Sequence, residues 1–162
     1  MDSQGVQKQL SFERITDRPV LVQPSAGMMS SDAGLIPVRE LDRCWKFTER
    51  FAGCLDDSRV DPDHTLDEMI RQRLFGIIAG YEDCNDHDDL RSDPVFKIVA
   101  QRNPADHDLA SQPTLSRFEN AITPAMLMRL IEFQVTTGVE RLRQHHRGSL
   151  PNEIILDIDP TD

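Results

Sequence analysis

At 162 residues, with 28 acidic side chains against 18 Lys and Arg, the chain carries a formal charge of −10 and has room for one domain of ordinary size. Apolar residues at 38% and charged residues at 28% suit a soluble globular chain with a modest core, and no apolar run approaches the roughly 20 residues that a bilayer span requires. The acidic balance argues against a free-standing nucleic-acid binder, because phosphate affinity is dominated by Lys and Arg. Three cysteines, Cys44, Cys54 and Cys84, stand at wide spacings behind an N-terminus with no hydrophobic centre. Reduced thiols, no secretory signal and a cytoplasmic location are the corresponding expectations.

Residues 1–37 carry Gly, Ser, Pro and Gln without a sustained period and read as a flexible N-terminal arm. Within it, Arg18-Pro19-Val20-Leu21-Val22-Gln23-Pro24 suits a short extended piece at a sheet edge, where proline is tolerated. Leu41, Cys44, Trp45, Phe47 and Phe51 recur near helical spacing, which predicts a short amphipathic helix with the only Trp buried and Gly53 at its end. Thr65 and Glu68 form a capping-box pair ahead of a stripe of Leu66, Met69, Ile70, Leu74, Ile77, Ile78 and Tyr81, with Arg71 and Arg73 on the polar face of the same helix. Asp93-Pro94 opens a further helix through Val95, Phe96, Ile98 and Val99, and Asn103-Pro104 closes it. Ser111-Gln112-Pro113-Thr114 begins another, with Leu115, Phe118 and Ile122 inward; Thr123-Pro124 then caps a longer one running toward Arg143, which Gly148 stops.

The last segment has a different period. Ile154, Ile155, Leu156 and Ile158 mark a short β-strand closed by Pro160, with Asp157 and Asp159 sharing one face. A carboxylate at the end of an apolar strand suits a divalent metal, because the strand fixes the oxygen while the end stays open to water. One strand cannot pair with itself, so its neighbours must come from elsewhere. The expected fold class is therefore mainly α, with about five helices in a domain over 38–148 and the start of a second domain over 149–162.

Chemistry-bearing motifs are few. Thr114, Ser116 and Arg117 place short hydroxyl groups and a guanidinium on the first turns of a helix, as in a recognition helix facing DNA phosphates or base edges. Its N-terminus adds free N–H groups and a favourable dipole for phosphate, although the preceding connection is too long for a standard helix-turn-helix. Cys84 and His87 share zinc-like spacing but lack a second pair, and His64, His87, His107, His145 and His146 read as surface residues. Acid concentrates at Glu82, Asp83, Asp86, Asp88, Asp89 and Asp93, and Arg141, Arg143 and Arg147 with His145 and His146 make a basic stretch; both read as solvated faces.

The segments Leu41 to Trp45, His64 to Arg73 and Gly76 to Arg91, continued by Asp93 to Lys97 and Ser111 to Asn120, resemble the N-terminal region of bacterial insertion-sequence DDE transposases. The likeness is to the thirteen-eighty branch, related to the IS-four group. Leu156-Asp157-Ile158-Asp159-Pro160-Thr161-Asp162 resembles the first strand of that family's RNase H-like catalytic domain, and the segment Phe133 to Gly138 matches less well. The resemblance implies cut-and-paste movement of DNA, with two Asp and one Glu holding paired Mg²⁺ ions that activate water and then a 3′-hydroxyl. It assigns the first of these acids to Asp159, with Asp157 as the alternative metal ligand or a neighbouring structural carboxylate.

The expected function is thus that of a transposase, present as a truncated N-terminal fragment that lacks most of the catalytic domain. It would engage the inverted repeats of transposon-end DNA through a helical DNA-binding or dimerisation domain, with Arg71, Arg73, Thr114, Ser116 and Arg117 as the expected DNA-contacting residues, and bind no metal tightly. A homo-oligomer or full-length transposase is the expected protein partner, with no membrane and no small-molecule substrate. The rival reading is a non-enzymatic helical interaction module that interferes with full-length transposase, which the acidic charge suits better.

Overall fold

A computed structural model describes residues 29–148 and Glu153, together with the backbone of residues 10–12 and 20–22. The chain divides into two compact units, residues 1–122 and 123–162. The first holds an antiparallel pair of short strands, β1 (Leu10–Phe12) and β2 (Val20–Val22), in which Ser11 faces Leu21. The extended piece expected near Val20 is β2; β1 had no signal of its own in the sequence.

Six helices follow among the described residues of this unit: α1 (Leu35–Trp45), α2 (Phe47–Ala52), α3 (Leu66–Ala79), α4 (His87–Leu90), α5 (Pro94–Val99) and α6 (Gln112–Asn120). A 3-10 turn over Cys84–Asp86 leads into α4. The fold is mainly helical, as expected, but the described residues hold more than the five helices expected, because one expected helix is divided into α1 and α2 and α4 was not foreseen. The single helix expected from Leu41 begins earlier, at Leu35, because Leu35 and Ile36 are core residues; Pro37 is tolerated there since it falls in the first turn. It also breaks at Lys46, whose φ of 53° ends α1 and turns the chain into α2.

The predicted caps form where the sequence puts them, with one exception. Thr65 Oγ1 accepts from Glu68 N at 3.2 Å while Glu68 Oε2 accepts from Thr65 N at 3.0 Å, the reciprocal pair of a capping box. Asp93 Oδ1 accepts from Val95 N and Phe96 N at 2.7 and 3.1 Å, with Pro94 behind it on the first turn of α5. At α6, Ser111 makes no side-chain cap; Asp88 instead reaches from α4 and accepts from Gln112 N at 3.0 Å.

Leu35, Ile36, Phe75, Leu90, Val95, Phe96, Val99 and Leu109 make the core cluster shared by α1, α3, α4 and α5. Removing a side chain such as Phe96 from water contributes about 1.5–3 kcal/mol. A smaller cluster of Met69, Ala110 and Leu115 seats α6 against α3.

The expected burial of five residues is corrected. Trp45, expected inside, is 44% exposed at the end of α1, because the break at Lys46 leaves its ring beside a groove instead of over the core. Ile77 and Ile78 also face outward, since the last turn of α3 runs past the core that α1 and α5 cover. Arg71, expected on the polar face, is buried beneath α2, and His87, expected on the surface, is fully buried under α3.

The second unit contains α7 (Pro124–His145), with Thr123 Oγ1 accepting from Met126 N at 3.3 Å and Gly148 in the left-handed region after its end. Leu127, Met128, Ile131 and Val135 lie exposed along it. No helix among the described residues is long and apolar enough to cross a membrane. The strand expected over residues 154–158 lies outside the described residues.

Candidate nucleic-acid interface

The α6 residues expected to meet DNA stand at the surface. Arg117 is exposed and its Nη2 donates to Thr114 Oγ1 at 3.3 Å, so guanidinium and hydroxyl lie one turn apart on the same face. Thr114 Oγ1 also pairs with Ser111 Oγ at 3.2 Å. Ser116 is half-buried and its carbonyl accepts from Asn120 Nδ2 at 2.8 Å. Leu115 anchors the opposite face of α6 in the core, which fixes the direction in which Arg117 projects. The N-terminus of α6 is less available than the sequence suggested. Asp88 already holds the N–H of Gln112, and Pro113 has none to offer.

The two α3 arginines have separate environments. Arg73 Nε bonds Glu119 Oε1 at 2.5 Å, and its other nitrogens donate to the carbonyls of Glu82 and Tyr81 at 2.6 and 3.3 Å. It thereby joins α3, the loop behind it and α6 at one guanidinium, a use for which the planar fork of Arg is suited. Arg71 points the other way. Its Nε donates to Thr48 Oγ1 at 3.3 Å and its Nη1 to Gln101 Oε1 at 2.8 Å, with Asp67 Oδ1 at 3.8 Å from Nη2. The structure therefore brings Arg73 next to α6 through Glu119 and leaves Arg71 with α1, α2 and the chain after α5.

Beneath these lies a polar layer for which the sequence carried no signal beyond a helical i, i+3 spacing. Arg39 Nε donates to Val99 O at 3.1 Å and Nη1 to Asp42 Oδ2 at 2.9 Å, while Asp42 also accepts from Thr48 N and Thr48 Oγ1 at 2.8 and 2.7 Å. Burial, then the nearby Arg71 charge, lowers the Arg39 pKa from its ordinary value. On the other side of α3, Gln72 Nε2 donates to Ala110 O at 2.8 Å and lies 3.4 Å from His87 Nδ1. Burial first, and the Arg73 charge second, push the His87 pKa down to about 4. His87 is thus held neutral, and its Nε2 has no partner among the described residues.

Cys84 Sγ donates to Glu119 Oε2 at 3.4 Å, and burial followed by that hydrogen bond raises its pKa, so the thiol stays protonated. Cys44, Cys54 and Cys84 are all free thiols, as expected. No group of three or more His, Cys, Asp or Glu side chains among the described residues is arranged to hold a metal. The expected catalytic and metal-binding acids, Asp159 and Asp157, lie outside the described residues.

The family model for the transposase DDE domain, group 1, matches residues 12–162, nearly the whole chain, and the protein belongs to that family. Comparison with curated proteins and with solved structures found no match. The family normally uses divalent metal, as the resemblance seen in the sequence implied.

Proposed function

We propose that this chain acts as a transposase of the thirteen-eighty branch, related to the IS-four group, that engages transposon-end DNA. The observation that carries this reading is the match of the DDE transposase family across residues 12–162. In this reading the helical region over 38–148 meets the inverted repeats at the transposon ends, with Arg117, Thr114 and Ser116 of α6 contacting the duplex and Arg73 holding α6 in place. Residues 149–162 begin the RNase H-like domain. Asp159 is the first acid of the catalytic set and Asp157 a second candidate oxygen ligand for Mg²⁺.

The test is a gel-shift titration of the chain against inverted-repeat DNA over a range of salt. Binding that weakens steeply with salt is the expected result. No shift at micromolar protein would overturn the DNA reading.

A second reading has its own support. Leu41, Trp45, Ile77 and Ile78 are exposed around a groove of about 320 Å³ between α1, α2 and α3, lined almost wholly by apolar side chains. Such a face suits an interaction module that pairs with another copy or with full-length transposase. Its test is the effect of adding this chain to a transposition reaction run by the intact enzyme, where inhibition without DNA binding is the expected outcome.

A further inference from the structure

Helix α7 carries two apolar stripes with different surroundings. Met126, Leu130 and Phe133 fall on one side, where Phe133 is buried and the other two are half-buried. Met128, Ile131, Val135 and Leu142 fall on another and are exposed, Met128 at 65% and Val135 at 62%. Gly138 lies on the same line, and a Cβ there would meet nothing within 4 Å.

The exposed line has a definite period. From Met128 through Ile131, Val135 and Gly138 to Leu142 the steps alternate between three and four residues. That is the a and d spacing of a coiled-coil seam, which keeps one narrow stripe facing a partner helix. A helix lying on a lipid surface has a basic, polar face behind its apolar one, whereas the side of α7 behind this seam is that of buried Phe133. The stripe therefore calls for a second helix of the same pattern, which another copy of the chain supplies.

Charge and shape set the direction of such a pair. Arg141, Arg143 and Arg147 with His145 and His146 cluster at the C-terminal end of α7, so a parallel pair would set two basic clusters side by side and align two helix dipoles. It would also put Gly138 opposite Gly138 and leave a gap. Reversing one copy so that Val135 faces Gly138 of the other fills that gap and places Ile131 opposite Leu142 in the next layer. Glu132 then lies level with the basic end of the opposing helix.

We propose that α7 is a self-association helix, through which two copies of this chain pair antiparallel along the seam from Met128 to Leu142. The pair concerns α7 alone, apart from α6 and from the groove beside Trp45, and does not depend on DNA. At 22 residues α7 is about 33 Å long, and at a diameter of about 10–12 Å a third of its surface is roughly 400 Å². Two such faces bury about 800 Å², small for a specific interface, so the dimer is reversible and micromolar.

The test is sedimentation equilibrium of the full chain, without DNA, over a concentration series. A monomer–dimer equilibrium is expected, weakened at least about tenfold by Val135→Lys, which sets a charge in the central layers. Because Val135 is exposed, that variant should keep the circular dichroism and melting curve of the parent chain. Adding Gly138→Glu to Val135→Lys puts opposite charges in both central layers of an antiparallel pair and should restore association, whereas a parallel pair would face like with like. A parent chain that stays monomeric up to about 1 mM, or association that Val135→Lys leaves unchanged, would overturn the proposal. So would association that only Ile78→Lys abolishes, which would put the pairing at the groove. Failure of the double variant to recover would overturn the antiparallel arrangement. With no DNA present, a monomeric result leaves the transposon-end reading standing.

Discussion

His87 is the residue at which position and chemistry are most tightly joined. Its ring is packed under Gly76, where a Cβ would come within 2.7 Å of His87 Cε1 and 2.9 Å of Nε2. In an open helix Gly→Ala is worth about 1 kcal/mol of stability. Here the contact outweighs that gain, and Gly76→Ala should destabilise by about 1–3 kcal/mol in a urea titration. Because the folded pKa of His87 is lowered to about 4, the unfolded chain binds the proton first as pH falls. The stability that neutral His87 contributes is therefore complete above pH 6.5, the ordinary imidazole value, and is lost progressively between there and about 4. His87→Gln should flatten this acid limb; an unchanged slope between those pH values would show that His87 is not its source.

The helix caps and the guanidinium ties operate at the scale of whole elements. Thr65→Ala removes one half of the capping box on α3 and should cost about 1 kcal/mol, read as a lower denaturant midpoint with unchanged slope. Arg73 and Arg117 offer a sharper contrast, since the two lie near α6 with different duties. Arg73→Ala leaves Glu119 and two backbone carbonyls without their donor and should destabilise by about 1–3 kcal/mol. Arg117→Ala loses only an exposed contact to Thr114, so it should leave stability within about 0.5 kcal/mol and, on the proposed function, reduce DNA affinity and its salt slope. Parallel melting curves and gel shifts of the two variants check both expectations.

For the whole molecule, the question is how a chain of net charge −10 would engage DNA. Net charge sets the long-range field, while contact is local, and the acidic 82–93 segment folds beside α6, where Asp88 caps Gln112, so DNA contact through Arg117 works against nearby acids. The apolar groove bounded by Trp45 and Ile78, which is 59% exposed, adds a second surface of opposite character. If it pairs copies of the chain, sedimentation should show concentration-dependent association that Ile78→Lys abolishes while leaving the fold intact. A monomer at every concentration would remove that use of the groove.

The sequence by itself determined the helices whose ends are chemically marked. Thr65 with Glu68, Asp93 with Pro94, and Thr123 with Pro124 each satisfy backbone donors a few residues away, so the relevant physics is local and the letters suffice. It also carried the family likeness, because an ordered series of segments needs no folding to be read. Only the tertiary structure decided which polar residues lie inside. Arg39, Arg71, Gln72 and His87 look like surface residues in any window of sequence, and their burial depends on partners as distant as Val99, Gln101 and Ala110. Trp45 and Ile78 reverse the same lesson. Their hydrophobicity predicted a core, but whether an apolar face is covered depends on what the rest of the chain brings over it, and helical periodicity contains no term for that.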